Sequence, residues 1–254
     1  MSGIKQIITI EGNIGVGKST FVDIIKRNIF NSEIVSEPVE MWKKMQDSDG
    51  TNILQKFYQD IPRWAYSFQN LACITRMTKI EDTIRQSNSE FIFLDRSLGT
   101  DKNVFEKMLY DSGKISEIEH QMYNLWCDFY YKYIRPEFEN IIIYLRCQPE
   151  VALQRIQKRG RIEEKDITLE YLSDLHKYHE QWLMTKSDLN VIIIDCDMDF
   201  ENDKVYQNQI LADIITQINE IREKRAKKVI PICSIKNKII VENESDEKNN
   251  NIYS

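Results

Sequence analysis

A single run of eight residues near the start of the chain constrains the fold more than any other feature. Gly12-Asn13-Ile14-Gly15-Val16-Gly17-Lys18-Ser19 fits the pattern GxxxxGK followed by Ser or Thr at every fixed position. A β-type run at residues 7–10 precedes it, and helical spacing follows it, which is the context that this motif requires. A chance glycine-rich turn would meet neither condition. The sequence therefore predicts a phosphate-binding loop.

The chemistry of nucleotide binding explains the spacing of this loop. Glycines let backbone N–H groups close around phosphate oxygens, and the following helix N-terminus adds a partial positive charge. We expect ATP as the donor, with Lys18 at its β- and γ-phosphates and Ser19 as a ligand of Mg²⁺. The nucleotide-binding residues predicted here are Gly12, Asn13, Ile14, Gly15, Val16, Gly17, Lys18, Ser19 and Thr20.

Short apolar runs alternate with longer segments of helical spacing along the chain. The runs cover residues 7–10, 34–35, 91–94, 141–145 and 191–194. Buried parallel strands typically have such runs. The alternation predicts an α/β P-loop kinase fold, a doubly wound, parallel five-stranded sheet flanked by helices, with ligands at the carboxyl ends of the strands. We expect one domain over residues 1–226 and a C-terminal extension over 227–254, whose polar last part is expected to be disordered.

The composition argues against several classes of protein. The net charge is −6, whereas a protein that binds polymeric nucleic acid usually carries a basic excess. The cysteines form no CxxC pair, so neither a structural zinc site nor a disulfide framework is expected. The β-type run begins too early for a secretory or transit peptide to precede it, and no apolar run approaches the ~20 residues that span a membrane. We expect a cytoplasmic protein without a membrane partner.

Charged side chains follow the predicted second and third strands. Glu37 ends the second and can accept the proton of an attacking hydroxyl, although a Glu-Pro pair at a strand end is usually only a turn. Asp95 ends the third and can help hold Mg²⁺, directly or through water. Arg96 can steady the base and the transferred phosphoryl group, although a surface ion pair is an equal alternative. Trp42 can form the wall of a pocket for a flat ring or a sugar.

An arginine cluster follows the predicted fourth strand. Arg155, Arg159 and Arg161 lie around Gly160, where a helix is expected to break. Such a cluster is normally a solvated helix face. Here the position favours a mobile lid over about 155–167, because guanidinium groups match phosphate oxygens and a closed lid excludes water.

The long helix expected from residue 62 carries polar residues on one face. Gln69, Ala72 and Arg76 follow one another at i, i+3 and i+7. An amide and a guanidinium beside a small residue are suited to reading a flat polar ring. An ordinary amphipathic helix would explain the aromatic residues of this segment but not the Gln–Arg pair.

In combination, these motifs resemble the deoxynucleoside kinase family, and its deoxycytidine and deoxyguanosine kinases in particular. The resemblance extends from about residue 7 to residue 200. The motifs that carry it are the phosphate-binding loop, Glu37-Pro38-Val39…Trp42, Asn52-Ile53-Leu54-Gln55…Tyr58, Arg63-Trp64…Phe68-Gln69, Asp95-Arg96-Ser97, Arg155…Arg159-Gly160-Arg161…Glu163-Glu164 and Leu169-Glu170-Tyr171-Leu172.

The resemblance implies an ATP-dependent transfer to the 5′-hydroxyl of a deoxynucleoside, with defined residue roles. Glu37 would be the base, and the groups that supply positive charge would be Lys18, Arg96, Arg155, Arg159 and Arg161. Asp199 and Phe200 would lie against the adenine of ATP, and Arg159 would bind its phosphates. Where this chain has Asp95, many animal members have Glu, and the shorter side chain favours a water-mediated metal contact.

The resemblance also implies which residues bind the deoxynucleoside. Tyr58 and Glu164 would bind the 3′-hydroxyl, Gln69 would pair with the Watson–Crick edge of the base, and Phe105 would stack on it. The full predicted set is Glu37, Trp42, Tyr58, Phe68, Gln69, Ala72, Arg76, Arg96, Asp101, Phe105 and Glu164.

One pair predicts the preferred base. Arg76 and Asp101 are expected to form an ion pair, and family members with Arg and Asp at the matching positions favour deoxycytidine or purine deoxynucleosides. Members that favour thymidine have smaller or apolar residues there. We therefore expect deoxycytidine, deoxyadenosine or deoxyguanosine, unranked, to be used better than thymidine. The alternative is a structural salt bridge outside the pocket.

Two alternative functions and an assembly state complete the predictions. A nucleoside monophosphate kinase, such as a thymidylate kinase, would need a second anion site, and Glu37 argues against it because a phosphate acceptor is already an anion. A non-catalytic nucleotide-binding module is an alternative of another class.

The aromatic helix around Trp126 is either a core helix or, with the helix from Pro62, the interface of a two-fold homodimer, as the resemblance implies.

Overall fold

A computed structural model describes residues 5–135, 141–161, 164–165, 167–185, 189–198 and 200–224 of the chain. The chain divides into two compact units, Met1–Ile210 and Leu211–Ser254. The described residues of the second unit, 211–224, are helical. The predicted extension over 227–254 lies outside the described residues, so its boundary with the domain stays a prediction.

A parallel sheet forms the centre of the first unit. Its strands in the described residues are β1 (Gln6–Gly12), β2 (Ser32–Val35), β3 (Phe91–Asp95), β4 (Ile141–Arg146) and β5 (Val191–Asp195), arranged in the order β2-β3-β1-β4-β5. Every neighbouring pair is parallel. The predicted five-stranded, doubly wound α/β sheet is confirmed.

Burial explains why the strands have continuous apolar runs. The first five residues of β4 are fully or almost fully buried, as are Ile8, Thr9 and Ile10 of β1. A parallel sheet is covered by helices on both faces, so its central strands need apolar side chains on both sides.

Helices connect and cover the strands. Their bounds in the first unit are α1 (Lys18–Asn28), α2 (Val39–Lys44), α3 (Ile53–Gln59), α4 (Ile61–Gln86), α5 (Leu98–Thr100), α6 (Lys107–Asp111), α7 (Glu117–Phe129), α8 (Pro149–Arg159) and α9 (Leu169–Leu183). A π-helical turn, Asp101–Glu106, joins α5 to α6, and a second, Tyr130–Ile134, follows α7. Residues 204–210 are also helical.

Capping residues define where the helices of the acceptor side begin. Asn52 accepts a hydrogen bond from the backbone of Gln55, whose side chain caps in return, so α3 begins with a capping box. Asp60 accepts a bond from Arg63 N–H, and Pro62 follows in the first turn of α4. The 26 residues of α4 are long enough to place Arg76 beside Glu37 and Asp101 and to pack Cys73 and Ile80 against α7.

The order of the sheet defines where a ligand can bind. Strand β1 lies between β3 and β4; the chain passes from β1 to β2 and β3 on one side of it and then crosses to β4 and β5 on the other. A crevice opens outside the carboxyl ends of the strands at such a switch point. No helix among the described residues is long and apolar enough to cross a membrane.

Candidate active site

A cavity of about 650 Å³ lies at this crevice. The predicted donor-side residues that line it are Ile14, Gly15, Gly17, Lys18, Ser19, Thr20, Arg155, Arg159, Arg161 and Phe200, and Glu164, predicted to bind the sugar of the deoxynucleoside, lines it as well. The predicted acceptor-side residues that line it are Glu37, Trp42, Tyr58, Phe68, Gln69, Ala72, Arg76, Asp95, Arg96, Asp101 and Phe105. The structure thus brings residues from every motif to one cavity, although their individual roles stay predictions.

The phosphate-binding loop has the tight backbone that its glycines permit. Gly15 has φ +80°, and a Cβ there would lie 2.5 Å from the carbonyl oxygen of Ala152. Gly17 has φ +102°, and its Cβ would lie 2.8 Å from the ring of Phe200. A residue with a side chain would disrupt either position. The close backbone therefore fits a loop that binds phosphate.

The side chain of Lys18 binds the backbone of the phosphate-binding loop itself. Its Nζ donates to the carbonyl oxygens of Gly12 at 2.9 Å and Asn13 at 2.7 Å. Burial, assisted by the positive charge of Arg96, lowers the pKa of Lys18 to about 7. An anionic phosphate beside Nζ would raise this pKa again, because it stabilises the ammonium form.

Three predicted nucleotide-binding residues do not line the cavity. Gly12, Asn13 and Val16 are buried, and the side chain of Asn13 donates to the carbonyl oxygen of Leu172 at 2.8 Å. Asn13 therefore links the loop to α9, and a contact of these residues with the nucleotide stays a prediction. Asp199, predicted at the adenine, lies outside the described residues.

The predicted metal residues face the same cavity. Ser19 and Asp95 both line it, and Asp95 Oδ1 is buried without a hydrogen-bond partner among the described residues. A carboxylate oxygen without a donor suits a cation or its bound water. Groups of three or more metal-binding side chains are absent from the described residues, but Mg²⁺ commonly uses one or two carboxylates with substrate phosphates. The residues present therefore fit Mg²⁺.

Glu37 is held between two arginines. Its Oε1 accepts a bond from Arg76 Nη2, and its Oε2 accepts one from Arg96 Nη1, each 2.9 Å long. Burial alone would raise the pKa of Glu37, but Arg96 and Arg76 outweigh it and lower the pKa to about 2. The contact with Arg96 was predicted, whereas the contact with Arg76 was not.

Arg76 also binds Asp101, as the sequence predicts. Nε donates to Oδ2 at 2.7 Å and Nη2 to Oδ1 at 3.2 Å, and both residues are buried. The pair lies in the cavity wall. The pair therefore lines the cavity rather than lying outside it, and its role in base recognition stays a prediction.

Aromatic rings form the acceptor end of the cavity. Trp42 and Phe68 meet edge to face, with centroids 5.2 Å apart, and Phe57 stacks on Phe68 at 4.8 Å. The indole N–H of Trp42 donates to the hydroxyl of Thr75 at 3.0 Å, which fixes the ring. Gln69 Oε1 is buried without a partner among the described residues, so an acceptor is available to the polar edge of a base.

The arginine cluster is divided between a helix and the segment beyond it. Arg155 lies within α8 and donates to the backbone oxygens of Val16 at 3.1 Å and Met198 at 3.3 Å. Beyond the left-handed Gly160, Arg161 Nη1 lies 3.5 Å from Glu164 Oε1. The structure thus ties Arg155 to the phosphate-binding loop, and the movement of a lid stays a prediction. Glu163 lies outside the described residues.

The two residues predicted to bind the sugar, Tyr58 and Glu164, lie next to the cluster. Glu164 forms an ion pair with Arg159. Burial and the negative charge of Glu164 raise the pKa of Tyr58 to about 12, so its hydroxyl stays protonated. A protonated phenol and a carboxylate can together bind one hydroxyl group, as donor and acceptor.

Comparison with known proteins decides the family. The family model for deoxynucleoside kinases matches residues 8–220. The chain belongs to the deoxynucleoside kinase family. Deoxycytidine kinase 2 of Gallus gallus is 35% identical over 233 residues, which cover 82% of this chain and 88% of that protein. The deoxycytidine kinase of Homo sapiens is 34% identical over 225 residues, or 78% and 86% of the two chains. The mitochondrial deoxyguanosine kinase of Xenopus laevis is 32% identical over 229 residues, or 80% and 86%.

Family membership gives the activity. The chain is a deoxynucleoside kinase, an enzyme that transfers a phosphoryl group from a nucleotide to a deoxynucleoside. The resemblance predicted from the motifs is confirmed. Membership also argues against the two alternatives, the nucleoside monophosphate kinase and the non-catalytic module.

Several residues of this kinase's cavity were not singled out from the sequence. Tyr171 lines the cavity, and burial raises its pKa well above the usual range. It belongs to the motif Leu169-Glu170-Tyr171-Leu172, which marked it without a role. Leu54 and Phe57 line the cavity from α3, and the spacing of Phe57 and Tyr58 from Leu54, at i+3 and i+4, could have indicated this face.

Proposed function

We propose that this kinase transfers the γ-phosphoryl group of ATP, bound with Mg²⁺, to the 5′-hydroxyl of a deoxynucleoside. The proposal rests on one arrangement, the carboxylate of Glu37 held by Arg76 and Arg96 in the cavity that Lys18 and Asp95 also line. A fixed acceptor for a hydroxyl proton beside a phosphate-binding loop is what this reaction needs.

Glu37 acts on the acceptor hydroxyl. With a pKa of about 2 it is a weak base, so it does not deprotonate a free alcohol in advance. Its ionised oxygens instead accept a hydrogen bond from the 5′-hydroxyl and align the attacking oxygen. The proton moves to Glu37 late, as the bond to phosphorus forms and the hydroxyl becomes acidic. This order suits the loose transition state of phosphoryl transfer.

The donor side supplies positive charge and alignment. Lys18 binds the β- and γ-phosphates, and Arg96, Arg159 and Arg161 balance charge on the transferring group. Ser19 and Asp95 would hold Mg²⁺. When bound, that ion neutralises charge on the phosphate oxygens.

The base pocket supports a preference for deoxycytidine or purine deoxynucleosides over thymidine. Arg76 and Asp101 occupy the cavity wall as a rigid pair, which leaves little room for a 5-methyl group and offers polar contacts instead. Gln69 supplies an unpaired acceptor. Relatives named deoxycytidine and deoxyguanosine kinases support the same preference.

We also propose that the kinase forms a homodimer through α7 and α4. The exposed apolar residues of α7 are Ile118, Met122, Leu125, Trp126 and Phe129, which follow one another along one face. Ile74 on α4 is also about half exposed. A continuous apolar stripe of this kind is typical of an interface. The aromatic helix thus buries Tyr123 in the core and leaves its other face available.

The charge of the kinase supports a proposal about its partners. A net charge of −6 favours small nucleotides over polymeric nucleic acid as partners. The cytoplasmic location stays a proposal, and fractionation of cells that express the full chain would test it.

One assay tests the reaction. The protein is incubated with ATP and Mg²⁺ and separately with each deoxynucleoside and each nucleoside monophosphate, and ADP is measured. We expect ADP with deoxycytidine, deoxyadenosine or deoxyguanosine, less with thymidine, and the background level with monophosphates. Turnover of monophosphates alone would contradict the proposed acceptor.

A further inference from the structure

A buried carboxylate lies next to the catalytic residues without lining the cavity. Glu11 directly precedes Gly12 at the end of β1 and has 0% of its surface exposed. Its Oε1 accepts a hydrogen bond from the backbone N–H of Ser97 at 3.0 Å, and its Oε2 accepts one from the hydroxyl of Thr100. Burial of a carboxylate is unfavourable unless hydrogen bonds compensate for the lost water. Here both oxygens have such bonds, and these two donors, Ser97 and Thr100, come from one short segment.

That segment contains an unfavourable backbone conformation. Arg96 has φ +66°, a left-handed conformation that residues with a side chain adopt only when their surroundings enforce it. The N–H of Arg96 donates to the carbonyl oxygen of Ile10 at 3.1 Å, and the next N–H, that of Ser97, donates to Glu11. Two consecutive residues of β1 therefore hold the backbone on both sides of Arg96.

The enforced turn determines where the guanidinium of Arg96 lies. Its Nη1 donates to Glu37 Oε2 at 2.9 Å, and the preceding residue is Asp95, whose Oδ1 faces the metal position proposed above. We propose that Glu11 is a positioning residue for phosphoryl transfer, one that holds the turn so that Arg96 keeps Glu37 aligned. The inference rests on the proposed roles of Glu37 and Arg96. It adds a group that touches neither substrate.

The simpler alternative is that Glu11 only stabilises the connection between β1 and β3. The two possibilities differ in what a substitution changes. A stabilising residue would alter the unfolding temperature and leave the rate of the folded enzyme unchanged. A positioning residue would lower kcat with little effect on deoxynucleoside binding, because displacement of a catalytic group by about 1 Å can reduce the rate ~10²-fold.

Four variants separate these possibilities. Glu11→Ala removes both acceptors, whereas Glu11→Gln keeps one for Ser97 N–H and can donate to the hydroxyl of Thr100. Thr100→Val removes one hydrogen bond without changing shape or charge. Thr9→Val is its matched control, because Thr9 is also buried on β1 and its Oγ1 has no partner among the described residues. We measure kcat, deoxycytidine binding by calorimetry, and the unfolding temperature.

We expect kcat of Glu11→Ala to fall roughly 10–100-fold while the Kd of deoxycytidine changes by less than about threefold. Glu11→Gln should regain most of the rate. The kcat of Thr100→Val should fall roughly three- to tenfold, and the kcat of Thr9→Val should equal that of the unmodified enzyme. A kcat of folded Glu11→Ala within about threefold of the unmodified value would overturn the proposal. If Glu11→Ala does not fold, the test is the comparison of Thr100→Val with Thr9→Val. Equal kcat values for these two variants would overturn the proposal.

A double-mutant cycle tests whether Glu11 acts through Arg96. In an Arg96→Ala background, Glu11→Ala should reduce kcat little further, because the group that it positions is already gone. Independent, multiplicative losses would show that Glu11 acts elsewhere. Failure of the proposed function itself is distinguishable, because the unmodified enzyme would then give no ADP with any deoxynucleoside.

Discussion

Arg76 and Glu37 are joined by a hydrogen bond of 2.9 Å between Nη2 and Oε1, although 39 residues separate them in the chain. The same guanidinium binds Asp101 in the wall of the cavity, where we propose that the base binds. The residue that shapes the pocket therefore also orients the carboxylate proposed to act on the 5′-hydroxyl. With these proposed roles, one side chain couples base preference to turnover, and we expect a change at Arg76 to alter both.

Substitution of the proposed base should stop catalysis without unfolding the protein. In Glu37→Gln the amide keeps the shape, but it cannot accept bonds from Arg76 and Arg96 on both of its atoms. We expect kcat to fall roughly 10²–10⁴-fold with deoxycytidine binding retained. Initial rates at saturating substrates and calorimetry measure the two quantities. Glu40→Gln, a largely exposed neighbour, is the control, and near-normal kcat in Glu37→Gln would remove Glu37 from this role.

Because the pKa of Glu37 is low, we expect that protonation of this group does not lower kcat/KM on the acid side of neutral pH. Burial raises the pKa, but Arg96 and Arg76 lower it from 4.5 to about 2, so the carboxylate stays ionised throughout the neutral range. The stability that this ionised group contributes is complete above pH 4.5 and is lost as pH falls towards 2. We expect kcat/KM for deoxycytidine, at saturating ATP, to stay level from about pH 8 to about pH 5. A tenfold loss per pH unit within that range, absent from Glu37→Gln, would contradict the assignment.

An arginine beyond α8 should act on the transferring phosphate. The side chain of Arg161 is 53% exposed and lies beside Glu164, and it lines the cavity where we propose that the phosphates bind. We expect Arg161→Ala to lower kcat roughly 10²-fold and to change deoxynucleoside affinity much less, as rate and binding measurements would report. Arg85→Ala, at the exposed end of α4, is the control. A change in deoxynucleoside affinity alone would make the assignment to the phosphate wrong.

The exposed face of α7 should hold two copies of the chain together. Trp126 and Leu125 are 52% and 70% exposed, and a glutamate at both positions would place two charges in an apolar interface. We expect the unmodified protein to sediment at twice its 30.2 kDa mass and the double variant as a monomer. Phe30→Glu is the control, because Phe30 is 89% exposed outside the stripe. A monomeric unmodified protein at micromolar concentration would refute the dimer.

Local patterns predicted the sheet and the phosphate-binding loop because each depends on the residue types at neighbouring positions in the sequence. The parallel strands are apolar on both faces, and the loop needs glycines at fixed spacing. The gathering of Glu37 and Asp95 at one edge could be expected, since the carboxyl ends of parallel strands meet there, whereas Arg161 reaches the cavity from beyond α8.

Two features of the site could not be predicted, because each depends on contacts between distant segments. The bond between Arg76 and Glu37 requires the depth at which α4 packs on the sheet. Glu11 contacts Ser97 across 86 residues of sequence, and nothing in the local pattern marks either residue as a partner. The positive φ of Arg96 is likewise enforced by β1 and has no glycine to indicate it.

The base preference is tested by replacing the pair in the pocket wall. The double variant Arg76→Met with Asp101→Ala removes both partners of the ion pair, so neither is left as an unpaired charge in the cavity wall. The change also opens space for the 5-methyl group of thymine. Because Arg76 also binds Glu37, kcat should fall for every substrate, and the informative quantity is the ratio of kcat/KM for thymidine to that for deoxycytidine. We expect this ratio to rise roughly tenfold, the scale of one methyl group in a pocket. Glu37→Gln is the control, since it disturbs the same network but leaves the Arg76–Asp101 pair in place. It should lower kcat/KM for thymidine and for deoxycytidine by the same factor, so that their ratio does not change. If the unmodified enzyme used thymidine best, the assignment of Arg76 and Asp101 would be wrong, while the kinase activity would stand.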